Sequence, residues 1–212
     1  MRNRDYWPTE EWRSMDPLSL GVPPARIKNL EDTLRTGYRN IKGIIIVYRG
    51  HIVFERYNGP DSSHAHNVAS VTKSIVSALI GIAIDKGHIK SLDQRVVEFF
   101  PEYRADPGDI RKAAVTLKDL LTMTAPIASR TTGNSWEPLD RLRRQPDWVK
   151  YVLDVLGNGQ PGKFQYSTAG AHLLSAVISR TTGLSAREFA NKYLFKPIGM
   201  KEIPDPDMGS FL

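Results

Sequence analysis

Apolar and polar residues follow two different periods along this chain, and the change of period is the first thing that divides it. Gly43-Ile44-Ile45-Ile46-Val47-Tyr48 and Ile52-Val53-Phe54-Glu55-Arg56-Tyr57 are β-rich runs on either side of Arg49-Gly50-His51. Two such runs around a glycine-containing turn predict a β-hairpin. Helical spacing dominates from residue 71 onward. Val71 to Lys86 has small or apolar residues on almost every side, a pattern that predicts a helix at the centre of a domain rather than on its surface, and Gly87 stops it. Pro23-Pro24 opens an earlier helix with Ile27, Leu30 and Leu34 on one face, ending near Gly37. Thr116 caps a short helix through Thr122, with Asp119 in its first turn. Further helices are predicted over Trp148–Leu156, over Ala169–Thr182 with Gly183 as the stop, and over Ala186–Phe195 up to Pro197.

The segments between are less regular. Residues 1–22, with Trp7, Trp12 and several prolines, read as an arm lying over the body. Asn58–His66 is a polar loop, residues 92–101 an irregular connection, and residues 125–145 loop-like. Two strands alone make a marginal sheet with exposed edges, so the sheet looks unfinished at Leu212. The pattern leaves its completion open between more of the same chain, a cleaved partner fragment and another polypeptide, including a second copy.

Composition narrows the class. The 212 residues are 41% hydrophobic and 25% charged, ordinary for a globular protein with one good core or two small ones. There is no cysteine, which excludes a disulfide framework and a thiolate zinc site. Met1–Pro8 has no apolar segment of the secretory kind, which favours the cytoplasm over export, and Ser77, Gly81 and Asp85 interrupt the longest apolar run before it could span a bilayer. The net charge of +6 is densest at Arg141-Leu142-Arg143-Arg144, without interleaved aromatics, and reads as a solvated basic face rather than a nucleic-acid site.

The chemistry concentrates where the central helix begins. Ser70-Val71-Thr72-Lys73 sets a hydroxyl and an amine one turn apart on one helix face. A serine needs a group to take its proton before it attacks. A lysine among apolar neighbours can lose its charge more easily and serve as that group. The Ser70 backbone N–H, at a helix start, is placed to hold a developing oxyanion. The plain alternative is that Ser70 caps the helix and Lys73 reaches into solvent. Elsewhere, His64-x-His66 lacks a third metal ligand nearby, His172 reads as a core histidine, and Asp93 and Glu98 have no acid at glycosidase spacing.

Three segments stand in order: Ser70-Val71-Thr72-Lys73, Leu120-Leu121-Thr122-Met123-Thr124, and Pro161-Gly162-Lys163-Phe164-Gln165-Tyr166-Ser167-Thr168. Together with Leu194-Phe195-Lys196-Pro197-Ile198-Gly199-Met200 they resemble the serine β-lactamase-like family, which includes class C β-lactamases, DD-peptidases, family VIII esterases and 6-aminohexanoate-oligomer hydrolases. The likeness covers roughly residues 24–200 and is greatest to the esterase and amide-hydrolase branch. It implies an α/β fold: an antiparallel sheet flanked by helices, plus an all-helical lobe. Here the α/β lobe would comprise 23–87 and 166–212, the helical lobe 88–165, and the site would lie at the start of the central helix.

The resemblance implies roles by residue. Ser70 is the acylated nucleophile, Lys73 shares or accepts its proton, and Tyr166 is the second base and acid. No metal or cofactor is implied, and the partner is a small ester, amide or lactam. Thr168 stands where many relatives have the asparagine of Tyr-x-Asn that contacts substrate, which turns the expectation away from β-lactams toward esters and simple amides. The family's third element, a strand with Lys-Thr-Gly or His-x-Gly, has no match after Tyr166, since Arg180-Thr181-Thr182-Gly183 is a helix end. Full activity is therefore not expected of these 212 residues alone. The alternatives are a module that binds penicillin or senses a ligand without turnover, and an inactive fragment.

Overall fold

The computed structural model describes residues 6–8, 11–58, 66–103, 109–127 and 141–204. They fall into two compact units that divide between Asn67 and Val68, with Ile198–Lys201 belonging to the first.

The first unit holds α1 (Pro24–Gly37), started by Pro23 and Pro24, and an antiparallel pair, β1 (Gly43–Tyr48) and β2 (His51–Tyr57). Arg49 and Gly50 have φ of 49° and 86°. Two successive positive φ values make the tight turn whose twist suits a hairpin. Ile46 lies opposite Phe54 but Val47 opposite Ile52, so Val53 is an extra residue that bulges β2. The other edge of β2 is taken by the N-terminal arm. Met15 N–H donates to the Ile52 carbonyl and Ile52 N–H to the Arg13 carbonyl, each at 2.9 Å. Tyr6 packs on the His51 ring at 5.1 Å, under the Arg13 guanidinium. Ile45, Ile46, Val47 and Tyr48 of β1 are all exposed. The sheet has two strands among the described residues, as the sequence indicates.

The second unit is helical. Its members are α2 (Thr72–Asp85), α3 (Ile110–Ala114), α4 (Leu117–Leu121), α5 (Trp148–Val155), α6 (Thr168–Thr182) and α7 (Ala186–Ala190). The helix that most others touch is α6, which packs on α2, α4, α5 and α7. Leu173, Leu174, Val177 and Ile178 of α6 meet Leu79, Ile80 and Ala83 of α2, Leu117 and Leu120 of α4, Val152 of α5 and Phe189 of α7 in one core. Burial of this apolar surface is what holds the short helices in place, since five-residue helices are not stable alone.

The local signals explain the boundaries. Thr116 and Asp119 form a reciprocal capping box at α4, and Ser185 and Glu188 form another at α7. Ser167 caps α6, which ends at Gly183 with φ of 73°. Beyond α7 the chain widens into a π turn at Asn191–Phe195. The buried Asn191 amide exchanges two 2.9 Å hydrogen bonds with the backbone of Ile203. Two findings differ from the sequence expectation. Asp109 caps α3, a helix that the alternation of residues does not announce. And α2 buries only the side carrying Val76, Leu79, Ile80 and Ala83, leaving Ser74, Ser77, Ala78, Gly81 and Asp85 exposed. These are small or polar residues, so the bare side costs little.

His172 on α6 is half-buried with its ring edge-on to Trp148 at 5.2 Å. Burial lowers its pKa below the ordinary 6.5. In the unfolded chain the imidazole takes a proton as pH drops through 6.5, while in the folded chain it stays neutral until lower pH. Stability contributed by the neutral ring is therefore present above 6.5 and is lost as pH falls toward the folded value. The native protein should unfold at lower urea concentration as pH falls below 6.5, and His172→Leu should flatten that slope. An unchanged slope in His172→Leu would place the titrating group elsewhere.

Candidate active site

Ser70 lies in a 3-10 turn, Ala69–Val71, that runs straight into α2. Its hydroxyl does not cap the helix; neither Val68 nor Val71, the two cap positions, has a side-chain cap bond. Instead Lys73 Nζ donates to Ser70 Oγ at 3.0 Å. The Lys73 side chain is half-buried and its ammonium also lies 5.0 Å from the centre of the Tyr166 ring. The plain alternative, a capping serine and a solvated lysine, is not what this geometry has. The turn is entered by Ala69 with φ of 45°, a left-handed backbone that a residue with a side chain rarely adopts. Such conformations cost of order 1–3 kcal/mol and gather at functional sites.

Tyr166 arrives from a different part of the chain, and its delivery depends on a template. After α4 the backbone turns at Met123, with φ of 57°, and runs on through Pro126. The segment 157–165 lies along it. Gly157 and Gly159 N–H donate to the Pro126 carbonyl, both at 2.9 Å, Gly162 N–H to Thr124 at 3.0 Å, and Gln165 N–H to Met123 at 2.7 Å. At Gly159 the approach is so close that a Cβ would come within 2.8 Å of the Pro126 and Ile127 carbonyl carbons. Only glycine fits there. The Leu120–Thr124 segment, which the sequence singles out without a task, thus serves as the rail that sets Tyr166 beside Ser70 and Lys73. Gly159 is a positioning residue that the sequence reading missed, and Met123 one that it named without a role. A glycine just before Pro161-Gly162 was the available signal.

The electrostatics follow from that placement. Burial would push the Tyr166 phenol up, but hydrogen-bonding interactions with Ser70 and Lys73, and the Lys73 charge, outweigh it; the phenol titrates below its ordinary 10.0. Half of the Tyr166 surface remains exposed, so the charge effect is partly screened by water. The structure therefore brings Ser70, Lys73 and Tyr166 together. Thr168 is the first residue of α6, half-buried, and its side chain is not hydrogen-bonded to any of the three among the described residues.

His64 lies outside the described residues, and no group of three His, Cys, Asp or Glu side chains that could hold a metal occurs among the described residues. Arg180 is paired with Glu102 and stacks over Phe100, at the far end of α6 from Tyr166. No described helix is long and apolar enough to cross a membrane.

Comparison with known proteins adds to the geometry. The family model described as Beta-lactamase matches residues 30–203. A 6-aminohexanoate-dimer hydrolase of Paenarthrobacter ureafaciens is 26% identical over 204 residues, covering 89% of this chain and 48% of that one. The octameric penicillin-binding protein homologue of Pyrococcus abyssi is 24% identical, with a TM-score of 0.61 over 88% of this chain and 44% of its own. FmtA of Staphylococcus aureus is 15% identical, with a TM-score of 0.61 over 89% of this chain and 52% of its own. At these identities the two structures speak for the fold alone. The chain spans about half the length of the hydrolase it matches.

Proposed function

The chain belongs to the β-lactamase family, and on that footing we propose that it carries the nucleophilic half of a serine hydrolase that works through an acyl-enzyme on an ester, amide or lactam bond, with esters and simple amides favoured. One observation carries the reading: the 3.0 Å Lys73–Ser70 contact, with the Tyr166 phenol at the same two groups and lowered below its ordinary value.

On this reading Lys73 keeps its proton and Tyr166 takes that of Ser70. An ammonium that donates to Ser70 Oγ is not at that moment its acceptor. The Tyr166 phenolate is, made accessible by hydrogen bonding with Ser70 and Lys73 and, to a smaller extent, by the Lys73 charge. Ser70 Oγ attacks the substrate carbonyl carbon while its proton passes to Tyr166 Oη. The Ser70 backbone N–H, at the start of the helix, holds the developing oxyanion. As the bond to the leaving group breaks, Tyr166 returns the proton to the departing oxygen or nitrogen. Water then attacks the acyl carbonyl and gives its proton to Tyr166, which passes it to Ser70 Oγ as the acyl bond breaks, so that the free acid leaves and the serine hydroxyl and the phenolate are restored. Thr168 is proposed to border the substrate. The division into an α/β lobe of 23–87 and 166–212 and a helical lobe of 88–165 belongs to the same proposal, as does a second polypeptide segment or a second copy that supplies further strands. The 6-aminohexanoate-dimer hydrolase relative supports the amide side of the substrate range.

A second reading keeps Ser70 as the acylated group in a penicillin-binding or ligand-sensing module that releases its product slowly or never. Incubation with a fluorophosphonate or a fluorescent penicillin, followed by washing and a time course, separates the two. Release with recovery of labelling supports turnover. A persistent adduct supports the sensing module, and no adduct at all contradicts both and leaves an inactive fragment.

A further inference from the structure

We propose that the hydroxyls of Thr122 and Thr124 are a positioning clasp for Tyr166: they close over Met123 and hold the left-handed turn that carries the tyrosine's segment. The inference rests on Ser70, Lys73 and Tyr166 being the reacting groups. It goes further by naming what keeps the third within reach of the other two.

Counting protons fixes the direction of the clasp. Thr122 Oγ1 lies 2.8 Å from the Lys118 carbonyl oxygen and 2.8 Å from Thr124 Oγ1. A carbonyl only accepts, and a hydroxyl has one proton to give. Both contacts are made together when Thr122 O–H donates to Lys118 and Thr124 O–H donates to Thr122. The two hydroxyls thus form a relay that runs back onto the last turn of α4 and bridges the residue between them.

That residue is Met123, with φ of 57°. The backbone around it closes α4 as a Schellman turn: Thr124 N–H donates to the Asp119 carbonyl at 2.9 Å and Met123 N–H to Leu120 at 3.2 Å. Glycine is the usual occupant of the left-handed position in such a turn, and methionine has a Cβ that the conformation disfavours. The clasp joins the residues on either side of Met123 and so opposes its return to an ordinary conformation. The same turn carries the rail. The Met123 carbonyl accepts from Gln165 N–H at 2.7 Å and the Thr124 carbonyl from Gly162 N–H at 3.0 Å. Gln165 directly precedes Tyr166, whose ring centre lies 5.0 Å from Lys73 Nζ. A Met123 that left the left-handed region would swing its carbonyl away from Gln165, and the bond that fixes the residue before Tyr166 would be lost. The path runs from hydroxyl to turn, from turn to Gln165, and from Gln165 to the phenol.

Thr124→Val keeps the branched shape and deletes the O–H, while Thr124→Ser keeps the O–H. Two readouts are taken on each: the titration of the Tyr166 phenol by NMR of carbon-labelled tyrosine, and the single-turnover rate of labelling by a fluorophosphonate. In the labelling step Ser70 Oγ bonds to phosphorus, fluoride leaves, and the serine proton passes to Tyr166. The native phenol titrates below 10.0 through its interactions with Ser70 and Lys73. In Thr124→Val it should climb toward 10.0, and labelling should slow about tenfold, within the range by which a small displacement of a reacting group lowers a rate. In Thr124→Ser both should return to the native values. Thr122 is exposed and Thr124 half-buried, so the urea midpoint should move little in either variant. If Thr124→Val proves misfolded by circular dichroism, Thr122→Val against Thr122→Ser is read in the same way. A Tyr166 titration that is unchanged in the folded valine variant, or displaced equally in the serine variant, would overturn the clasp alone. A native protein that takes no label, while Tyr166 still responds to Thr124→Val, would uphold the clasp and overturn the nucleophile assignment.

Discussion

Ser70→Ala will take up no covalent label from fluorophosphonate or penicillin probes, yet will unfold at the same urea concentration as the native protein to within the error of the midpoint. Both halves come from the same geometry. The hydroxyl is the only atom lost, and it is the atom on which the acyl-enzyme depends, so reactivity falls to background rather than by a factor. It neither caps the turn nor lies in the core: it is exposed, and its partner is the Lys73 amine. Removing an exposed hydrogen-bond acceptor leaves Lys73 free to turn to water, so no buried group is stranded. Gel fluorescence gives the first half and urea unfolding the second. Labelling that survives in the variant would move the nucleophile elsewhere. A large loss of stability would make Ser70 structural.

Lys73→Met is expected to slow acylation by about 10²–10⁴-fold at neutral pH, the range for loss of assisted proton transfer, and to move the pH profile upward. In the native protein acylation should rise with pH as the Tyr166 phenol ionises below 10.0. Methionine keeps much of the length of the lysine stem but deletes the charge and the hydrogen-bond donor. What remains of the causes is burial, which raises the phenol, and the Ser70 interaction, which lowers it by less than burial raises it. The inflection should therefore climb toward or past 10.0. Single-turnover labelling across pH measures it. A rate change with no shift of the inflection would assign Lys73 to binding rather than to the proton path.

Much of this was legible in the sequence, for identifiable reasons. The hairpin was readable because Arg49-Gly50 sits between two β-branched runs and can take two positive φ angles. The capped helices were readable because Thr116/Asp119, Ser167 and Gly183 are local signals whose partners lie within four residues. The relation of Ser70 to Lys73 is also local, one turn apart. What was hidden needed distant contacts. The hub is α6 rather than α2, because which apolar helix collects most neighbours is decided by packing, not by its own pattern. The bare side of α2 was masked by small residues that look apolar in a sequence but tolerate water. The rail formed by Met123–Pro126 and its close fit to Gly159 join residues some 35 positions apart through backbone hydrogen bonds, and backbone bonds leave no mark on residue type.

The central claim is that a hydroxyl, an ammonium and a phenol form one proton-sharing cluster. Carbon-labelled tyrosine, observed by NMR across pH with the Tyr166 resonance assigned by its loss in Tyr166→Phe, tests it most directly. The account predicts that Tyr166 titrates below 10.0 in the native protein and moves upward in both Ser70→Ala and Lys73→Met, further in the latter, which deletes a hydrogen bond and a charge together. A resonance that titrates at or above 10.0 and is indifferent to both substitutions would contradict it.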